Sequence, residues 1–191
     1  MEALVAIFHF FGKKKSDDPV NPDMDKQRKY EALVRVYHRD LYRYAYWLCK
    51  DQTTAEDLVQ ETCLRAWKSL DSLLDEKAAK SWLITILRRE NARRFERKQF
   101  ELVDIEDYSG EARVNDDAHH QNEWLQAQIM KLDVEYREPL FLQVVGGFSG
   151  DEISEILELN TNTVMTRLFR ARNQLKDLLD SDKTQRGQKN G

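Results

Sequence analysis

The sequence predicts an all-α protein in which two small helical domains are joined by a flexible, acidic linker. Only 7 of the 191 residues are Gly and 3 are Pro, which argues for helices rather than a sheet-and-turn fold. Apolar residues recur at helical spacing in two blocks, and no alternating pattern typical of a half-buried strand occurs. Between the blocks, residues 99–121 carry seven acids against one Arg and little apolar periodicity, which is typical of a linker.

The first block, residues 26–98, predicts three helices. The first runs from Lys26 to Lys50 with one apolar stripe. Thr53 and Glu56 have the spacing of a capping box that opens the second helix. The third begins near Ala78 and becomes strongly basic. Apolar positions in the last two are Leu58, Thr62, Ala66, Leu70, Trp82, Leu83, Ile86 and Leu87.

The second block, residues 122–180, begins with apolar positions at Trp124, Leu125, Ile129 and Leu132. Pro139 suits the first turn of its next helix, and Gly146-Gly147 would end that helix. Ser149 and Glu152 form another predicted capping box, and a break at Leu159-Asn160 precedes the last helix. Residues 1–25 and 181–191 remain as predicted tails.

The charge and the cysteine and histidine spacing argue against a uniformly basic nucleic-acid-binding protein, a disulfide-linked protein and a metalloprotein. The formal net charge of −4 gives no global reason to expect nucleic acid, so such a function requires local segregation of charge. Cys49 and Cys63 fit reduced packing thiols better than a zinc pair or a disulfide. His119-His120 has no further ligand nearby, so no metal or cofactor is expected.

The N-terminal run MEALVAIFHFFGKKK is too short to span a bilayer. Its basic cluster follows the apolar run, whereas a signal peptide has the charge first. We therefore expect a cytoplasmic protein without membrane insertion. No P-loop, dinucleotide fingerprint, nucleophile elbow or zinc-protease motif occurs, so no enzyme is predicted.

The last helix combines a basic surface with an apolar back. Residues 161–176 contain four bases and no acid, whereas residues 149–158 contain four acids and no base. Together these two helices predict a helix-turn-helix whose second helix can enter a major groove. Thr166, Phe169, Arg170 and Asn173 lie opposite the apolar stripe. An ordinary helical hairpin with solvated charges is the alternative at this point.

Two more surfaces have alternative interpretations. The third helix interleaves basic residues with Trp82 and Phe95, as contacts to single-stranded DNA require, although Trp82 could instead be core. The second helix exposes a mixed-charge face around Leu64, on which Glu61 and Arg65 have the spacing of an ion pair. That face is either a solvent surface or a site for a protein partner.

Three segments in this order resemble the extracytoplasmic-function (ECF) group of bacterial RNA polymerase sigma factors. They are AEDLVQETCLRAW, SWLITILRREN and, after the linker, YREPLFLQVVGGFSGDEISEILELNTNTVMTRLFRAR. The resemblance implies a σ2 domain at residues 26–98 and a σ4 domain at 122–180. It implies a specificity subunit that directs core polymerase to promoters and helps to melt them. An anti-sigma protein is an expected partner.

The resemblance also implies sites. Asp57, Gln60, Glu61 and Arg65 are the residues expected to bind the β′ clamp helices of core polymerase. The family's other polymerase contact is the β flap. Recognition of the −10 element falls to Lys77, Lys80, Trp82, Arg88, Arg89 and Arg93. Recognition of the −35 element falls to Asn162, Thr163, Met165, Thr166, Arg167, Phe169, Arg170, Arg172 and Asn173. The competing hypothesis is a stand-alone helix-turn-helix regulator that binds duplex DNA.

Three positions depart from the family pattern. Met165 occupies a position where a basic residue is frequent in the family. Its thioether cannot donate a hydrogen bond to DNA. Arg89 stands where Asn is common, and Asn160 with Asn162 where Pro and Gly are frequent. The first two departures concern promoter preference, and the Asn pair still suits a helix cap.

Overall fold

The two predicted blocks fold as two units that divide at residue 110. The computed structural model describes the backbone of residues 22–101 and 120–188, and the side chains of residues 24–97 and 124–180. These ranges contain seven α-helices, two 3-10 turns and no strand, which confirms the all-α prediction. Most of the predicted N-terminal tail and of the predicted linker lies outside the described residues.

The first unit consists of α1 (Pro22–Cys49), α2 (Gln52–Ser69) and α3 (Ala79–Glu101). Two 3-10 turns, Leu70–Ser72 and Glu76–Ala78, connect α2 to α3. Each helix buries the apolar stripe that its sequence predicts, and α3 continues past its predicted end at residue 98. Buried members of this core are Leu33, Leu41, Tyr44, Ala55, Leu58, Val59, Ala66, Leu83, Ile86 and Leu87.

The predicted capping box at the start of α2 is wrong. Lys50 adopts a left-handed conformation with φ of 57°, and the chain then enters α2 through an extended Asp51. Asp51 Oδ1 accepts a hydrogen bond from Thr54 N at 2.8 Å, so Asp51 rather than Thr53 is the N-cap. A carboxylate at this position satisfies a free N–H group and also interacts favourably with the helix dipole.

Both cysteines of the first unit are free, as the sequence predicts. Cys49 Sγ lies 3.7 Å from Asn91 Oδ1, between α1 and α3. Burial raises the pKa of the Cys63 thiol, which keeps it protonated. These contacts agree with packing thiols.

The second unit consists of α4 (His120–Ile129), α5 (Val134–Val144), α6 (Gly150–Leu157) and α7 (Thr161–Gln188). Trp124 is exposed and lies outside the core that its spacing predicts. Helix α7 continues beyond residue 180 into the predicted C-terminal tail. Buried members of this core are Ile129, Leu132, Leu140, Phe141, Phe148, Ile153, Ile156, Val164, Leu168 and Ala171.

Pro139 lies in the interior of α5, not in its first turn as predicted. Asp133 has an extended backbone and precedes Val134, so the first turn is complete before Pro139. Pro139 has no N–H to donate to the carbonyl of Glu135, and its buried ring packs in the core instead. The predicted end of α5 is confirmed, because Gly147 takes the left-handed conformation with φ of 72°.

Helices α6 and α7 form the predicted helix-turn-helix. The capping box at the start of α6 is confirmed: Glu152 Oε2 accepts from Ser149 N at 2.8 Å while Ser149 Oγ accepts from Glu152 N. Glu158 ends α6 in a left-handed conformation. Asn160 Oδ1 then accepts from Asn162 N at 2.8 Å and opens α7, where the sequence predicts a break.

Candidate nucleic-acid and protein interfaces

Helix α7 presents the predicted −35 residues on the side opposite its core contacts. Val164, Leu168 and Ala171 are buried against α5 and α6. The other side is exposed, with Phe169 61% and Met165 50% accessible. The exposed predicted residues are Asn162, Thr163, Met165, Thr166, Phe169, Arg170, Arg172 and Asn173. Only Arg167 among the predicted −35 residues is half-buried.

Helix α5 engages two arginines of α7. Arg167 Nη2 lies 3.5 Å from Glu135 Oε2, and Arg170 Nη1 lies 3.4 Å from the hydroxyl of the buried Tyr136. This hydroxyl contact raises the pKa of Arg170, which stays charged in any case. The sequence does not predict Glu135 or Tyr136 as site residues, because they lie on α5 and the chain passes through α6 before it reaches α7.

Met165 also reaches the start of α6. A Cβ atom added at Gly150 would lie 2.8 Å from Met165 Sδ, closer than carbon and sulfur atoms normally approach. Gly150 is the first residue of α6, so the thioether occupies space that a side chain would need there. The position that the Met165 thioether takes on the exposed side of α7 is thus compatible only with a glycine at the start of the preceding helix.

A groove of about 430 Å³ runs between α2 and α3 on the predicted polymerase face. Asp57, Gln60, Glu61 and Leu64 line it from α2, and Leu64 is 56% exposed. The α3 side contributes Glu90, Arg94 and Arg97. The groove therefore has an acidic edge, a basic edge and an exposed apolar side chain between them.

The predicted ion pair between Glu61 and Arg65 is wrong. Arg65 Nε donates instead to Glu90 Oε1 at 3.0 Å, and Arg93 Nη1 donates to the same oxygen. The Glu90 side chain is 4% exposed. A buried carboxylate requires charged donors far more than the exposed Glu61 does, which explains the choice of partner.

The predicted −10 residues occupy different sides of α3 and the turn before it. Trp82, Arg89 and Arg93 are separated by seven and four residues and lie along one side. Trp82 is half-buried against the cluster of Leu33, Leu70 and Ala79, so part of its ring is core.

The other three predicted −10 residues lie apart from that side. Lys80 Nζ pairs with Asp40 Oδ2 at 3.0 Å. Arg88 is half-buried on another side of α3, and Lys77 is exposed in the second 3-10 turn. Leu74, between the two 3-10 turns, is 94% exposed. The resemblance assigns the loop near Leu70 to Ser81 to the −10 element, but Leu74 is not among the individual residues that it implies.

No group of three or more His, Cys, Asp or Glu side chains in the described part of the chain could hold a metal ion. None of the helices within the described ranges is both long and apolar enough to cross a membrane.

Comparisons with known proteins account for both units. Residues 33–101 match the model of sigma-70 region 2, and residues 122–175 match that of sigma-70 region 4. The sigma factor SigV of Bacillus subtilis is 32% identical over 154 residues, which cover 78% of this chain and 92% of SigV. ECF sigma factor SigM of the same organism is 30% identical, with 78% of this chain and 93% of SigM covered. The chain belongs to the ECF sigma factors.

Solved structures give the same assignment. The sigma factor RpoE of Bartonella quintana, solved with the anti-sigma factor NepR, superposes with a TM-score of 0.68 at 28% identity. That match covers 81% of this sigma factor and 99% of RpoE. CnrH, solved with the cytosolic domain of CnrY, has a TM-score of 0.60 at 26% identity, with 82% and 90% of the chains covered.

As a sigma factor, the protein directs RNA polymerase to promoters, and its family consists of initiation factors rather than catalysts. The stand-alone regulator hypothesis accounts only for the helix-turn-helix. It leaves the region 2 match at residues 33–101 without a role, so the comparisons do not favour it.

Proposed function

We propose that this sigma factor binds core RNA polymerase through α2 and contacts the −10 and −35 elements through α3 and α7, respectively. The observation that supports this most is that α2, α3 and α7 each expose predicted site residues, with a distinct chemistry on each helix. The α2 face is acidic around Leu64, the α3 face is basic beside Trp82, and the α7 face combines Arg170 with Phe169.

The α2–α3 groove suits a protein partner. An exposed Leu64 surrounded by charges is the arrangement of an interface with an apolar centre and a polar rim. Asp57 and Glu61 can steer a basic partner surface to the groove. We assign the groove to the clamp helices of the polymerase β′ subunit, with the β flap as the contact of the σ4 domain.

The −10 contact combines stacking with phosphate binding. The exposed part of the Trp82 ring offers a stacking surface, and Arg89 and Arg93 on the same side can contact a strand backbone. Capture of an unstacked base by such a surface favours the melted state and so assists promoter opening. Lys77, Lys80 and Arg88 would contribute positive charge around this surface rather than base contacts.

The −35 contact falls to α7 in a major groove. Arg170 can donate two hydrogen bonds to a guanine edge, and Asn173 can pair with an adenine. Phe169 and Met165 offer apolar contact to a thymine methyl group.

We infer that an anti-sigma protein regulates this chain. The similar RpoE and CnrH were solved with NepR and with the cytosolic domain of CnrY, respectively. The proposed role needs no cofactor and no catalytic step, and it takes place where core polymerase transcribes, in the cytoplasm.

Reversal of one charge at the groove tests the proposal. Glu61→Lys should weaken binding to core polymerase by about 1–2 kcal/mol, because it places like charges at a steered interface. Titration of a labelled chain with core polymerase measures this affinity, and circular dichroism checks helical content. Glu31→Lys, on an exposed position of α1, is the matched control. Unchanged affinity of Glu61→Lys would remove α2 from the polymerase interface.

A further inference from the structure

The outer side of α1 carries a line of arginines that none of the proposed contacts uses. Arg28, Arg35 and Arg39 are exposed and are separated by seven and four residues, so they lie along one side of the helix. We call these three residues the α1 stripe. Leu41 and Tyr44, which belong to the buried side of α1, face the opposite direction.

The acids of α1 do not neutralise this stripe. Asp25 pairs with Lys29 at 3.2 Å, and Asp40 pairs with Lys80 at 3.0 Å. Glu31 precedes Arg35 by the four residues that favour an ion pair, yet it accepts from Gln27 Nε2 at 2.7 Å instead. Among the described side chains, no ion pair reaches Arg28, Arg35 or Arg39.

The stripe also places like charges at unfavourable spacing. Arg35 and Arg39 are four residues apart, as are Arg39 and Arg43. Like charges at this spacing destabilise a helix, unless an external anion supplies the opposite charge. Arg43 is partly relieved, because it lies 3.8 Å from Asp40.

Two aromatic rings continue the line. Tyr42 and Tyr46 follow Arg39 by three and seven residues, and their half-buried rings stack with centroids 6.3 Å apart and planes at 20°. Unneutralised arginines beside aromatic rings are the combination by which proteins hold single-stranded nucleic acid. DNA phosphates are complementary in charge to the arginines of the α1 stripe. The positive charge is local, because the total charge of the chain is negative.

We propose that the α1 stripe, with Tyr42 and Tyr46, binds the sugar-phosphate backbone of a melted promoter strand, as a contact additional to α3 and α7. This inference rests on the proposed function, since the strand becomes single only when the sigma factor opens a promoter with polymerase. The stripe contributes affinity and salt dependence without sequence preference, because its donors meet phosphates.

Charge reversal on the stripe tests the inference. The full chain carrying Arg35→Glu and Arg39→Glu is assembled with core polymerase and titrated with fork-junction promoter DNA, whose −10 region is single-stranded, at several salt concentrations. Affinity should fall at least about 10-fold, and the slope of log affinity against log salt should become shallower by about 1.4, for two single-strand phosphates at about 0.7 each. Lys29→Glu, on the same helix but off the stripe, should leave that slope unchanged.

Further measurements separate the alternatives. Wild-type affinity and slope in the double variant would overturn the inference. Weaker binding of the variant to core polymerase itself would assign the stripe to a protein surface instead. An equal slope change on fully duplex promoter DNA would overturn the assignment to a melted strand. Failure of the proposed function is distinguishable, because the wild-type complex would then not bind promoter DNA selectively.

Discussion

At the residue scale, Arg170 combines a packing contact with its proposed role in recognition. The residue is exposed on the side of α7 opposite the core, yet Nη1 lies 3.4 Å from the Tyr136 hydroxyl. A long contact of this kind orients the side chain without consuming its other donors. Arg170 is thus prepared to approach a base edge with part of its conformational freedom already removed.

Arg170→Ala should cost about 1–3 kcal/mol of promoter affinity if the residue reads a guanine, and should relax preference at one −35 position. Transcription from a panel of −35 variants measures this, with folding checked by circular dichroism. Leu168→Ala, at a buried position of the same helix, is the control for structure and should destabilise the unit by about 2–5 kcal/mol.

Two other outcomes are informative for Arg170. A uniform loss of affinity across all promoters, with a smaller salt slope, would make it a phosphate contact. A well-folded variant with wild-type activity and preference on every promoter would contradict any role in the DNA interface.

Glu90 of α3 connects to α2 through Arg65, while Arg93 of its own helix donates to the same carboxylate oxygen. Glu90→Gln should lower the free energy of unfolding by about 1–3 kcal/mol, because two charge-assisted hydrogen bonds become weaker. The loss is limited because both arginines are about half exposed and water can solvate them. Urea denaturation followed by circular dichroism measures the change.

Glu96→Gln is the matched control for Glu90→Gln, since Glu96 is exposed on the same helix. It should change the unfolding free energy by less than about 0.5 kcal/mol. Equal effects of the two substitutions would show that the buried bridge contributes nothing to stability.

Helical periodicity accounts for what the sequence could predict at this scale. It assigns Val164 and Leu168 to the buried side of α7 and Thr166 and Arg170 to its exposed side. Both sides follow from the period of 3.6 residues per turn alone. It could not pair Arg65 with Glu90, which is 25 residues away on another helix, and it gave Arg65 a local partner instead. Contacts of Arg167 and Arg170 with α5 were missed for the same reason.

At the element scale, the beginnings of helices show where local rules compete. Thr53 with Glu56 and Ser149 with Glu152 have the same spacing, and only the second pair forms a capping box. The difference is Asp51, a stronger capping residue placed just before Thr53, where the left-handed Lys50 directs the chain into α2. Sequence rules rank each candidate cap separately, whereas the turn from α1 decides between them.

The cap of α2 can be tested by a pair of substitutions. Asp51→Ala should destabilise the first unit by about 0.5–2 kcal/mol, because Thr54 N loses its acceptor. Thr53→Ala, at an exposed position, should cost no more than a few tenths of a kcal/mol. Thermal unfolding monitored by circular dichroism compares the two variants. A larger effect at Thr53 would restore the capping box that the sequence predicts.

Pro139 illustrates a similar limit in α5. Its preference for a first turn is only a tendency, and the buried position of its ring overrides that tendency here. Gly147 was predictable because a left-handed residue after a helix favours glycine, although Lys50 and Glu158 take the same conformation at the ends of α1 and α6.

At the scale of the whole molecule, we expect the segregation of charge to make DNA binding depend on core polymerase. The total charge is −4, while the basic surfaces within the described ranges lie on parts of α1, α3 and α7. Each surface alone is small. Within one complex with core polymerase, the first contact with a promoter would hold the other surfaces close to the same DNA, which strengthens binding. DNA binding should therefore be strong only in the complex.

We expect the free chain to bind promoter duplex on the order of 100-fold more weakly than its complex with core polymerase does. Fluorescence anisotropy with labelled promoter DNA, at one fixed salt concentration, measures both affinities. A duplex of equal length without promoter elements is the control for unspecific binding. Tight, sequence-specific binding by the free chain would instead support a stand-alone regulator.

The close approach of Met165 Sδ to Gly150 has a consequence for the descent of this protein. A lineage that replaces Gly150 by Ala moves only the end of a flexible thioether, so the fold survives and selection does not remove the change. Under the proposed −35 contact, the displaced thioether would then meet a different part of the promoter. Promoter preference could therefore drift through a change at position 150, which lies in the helix before the one proposed to contact the −35 element.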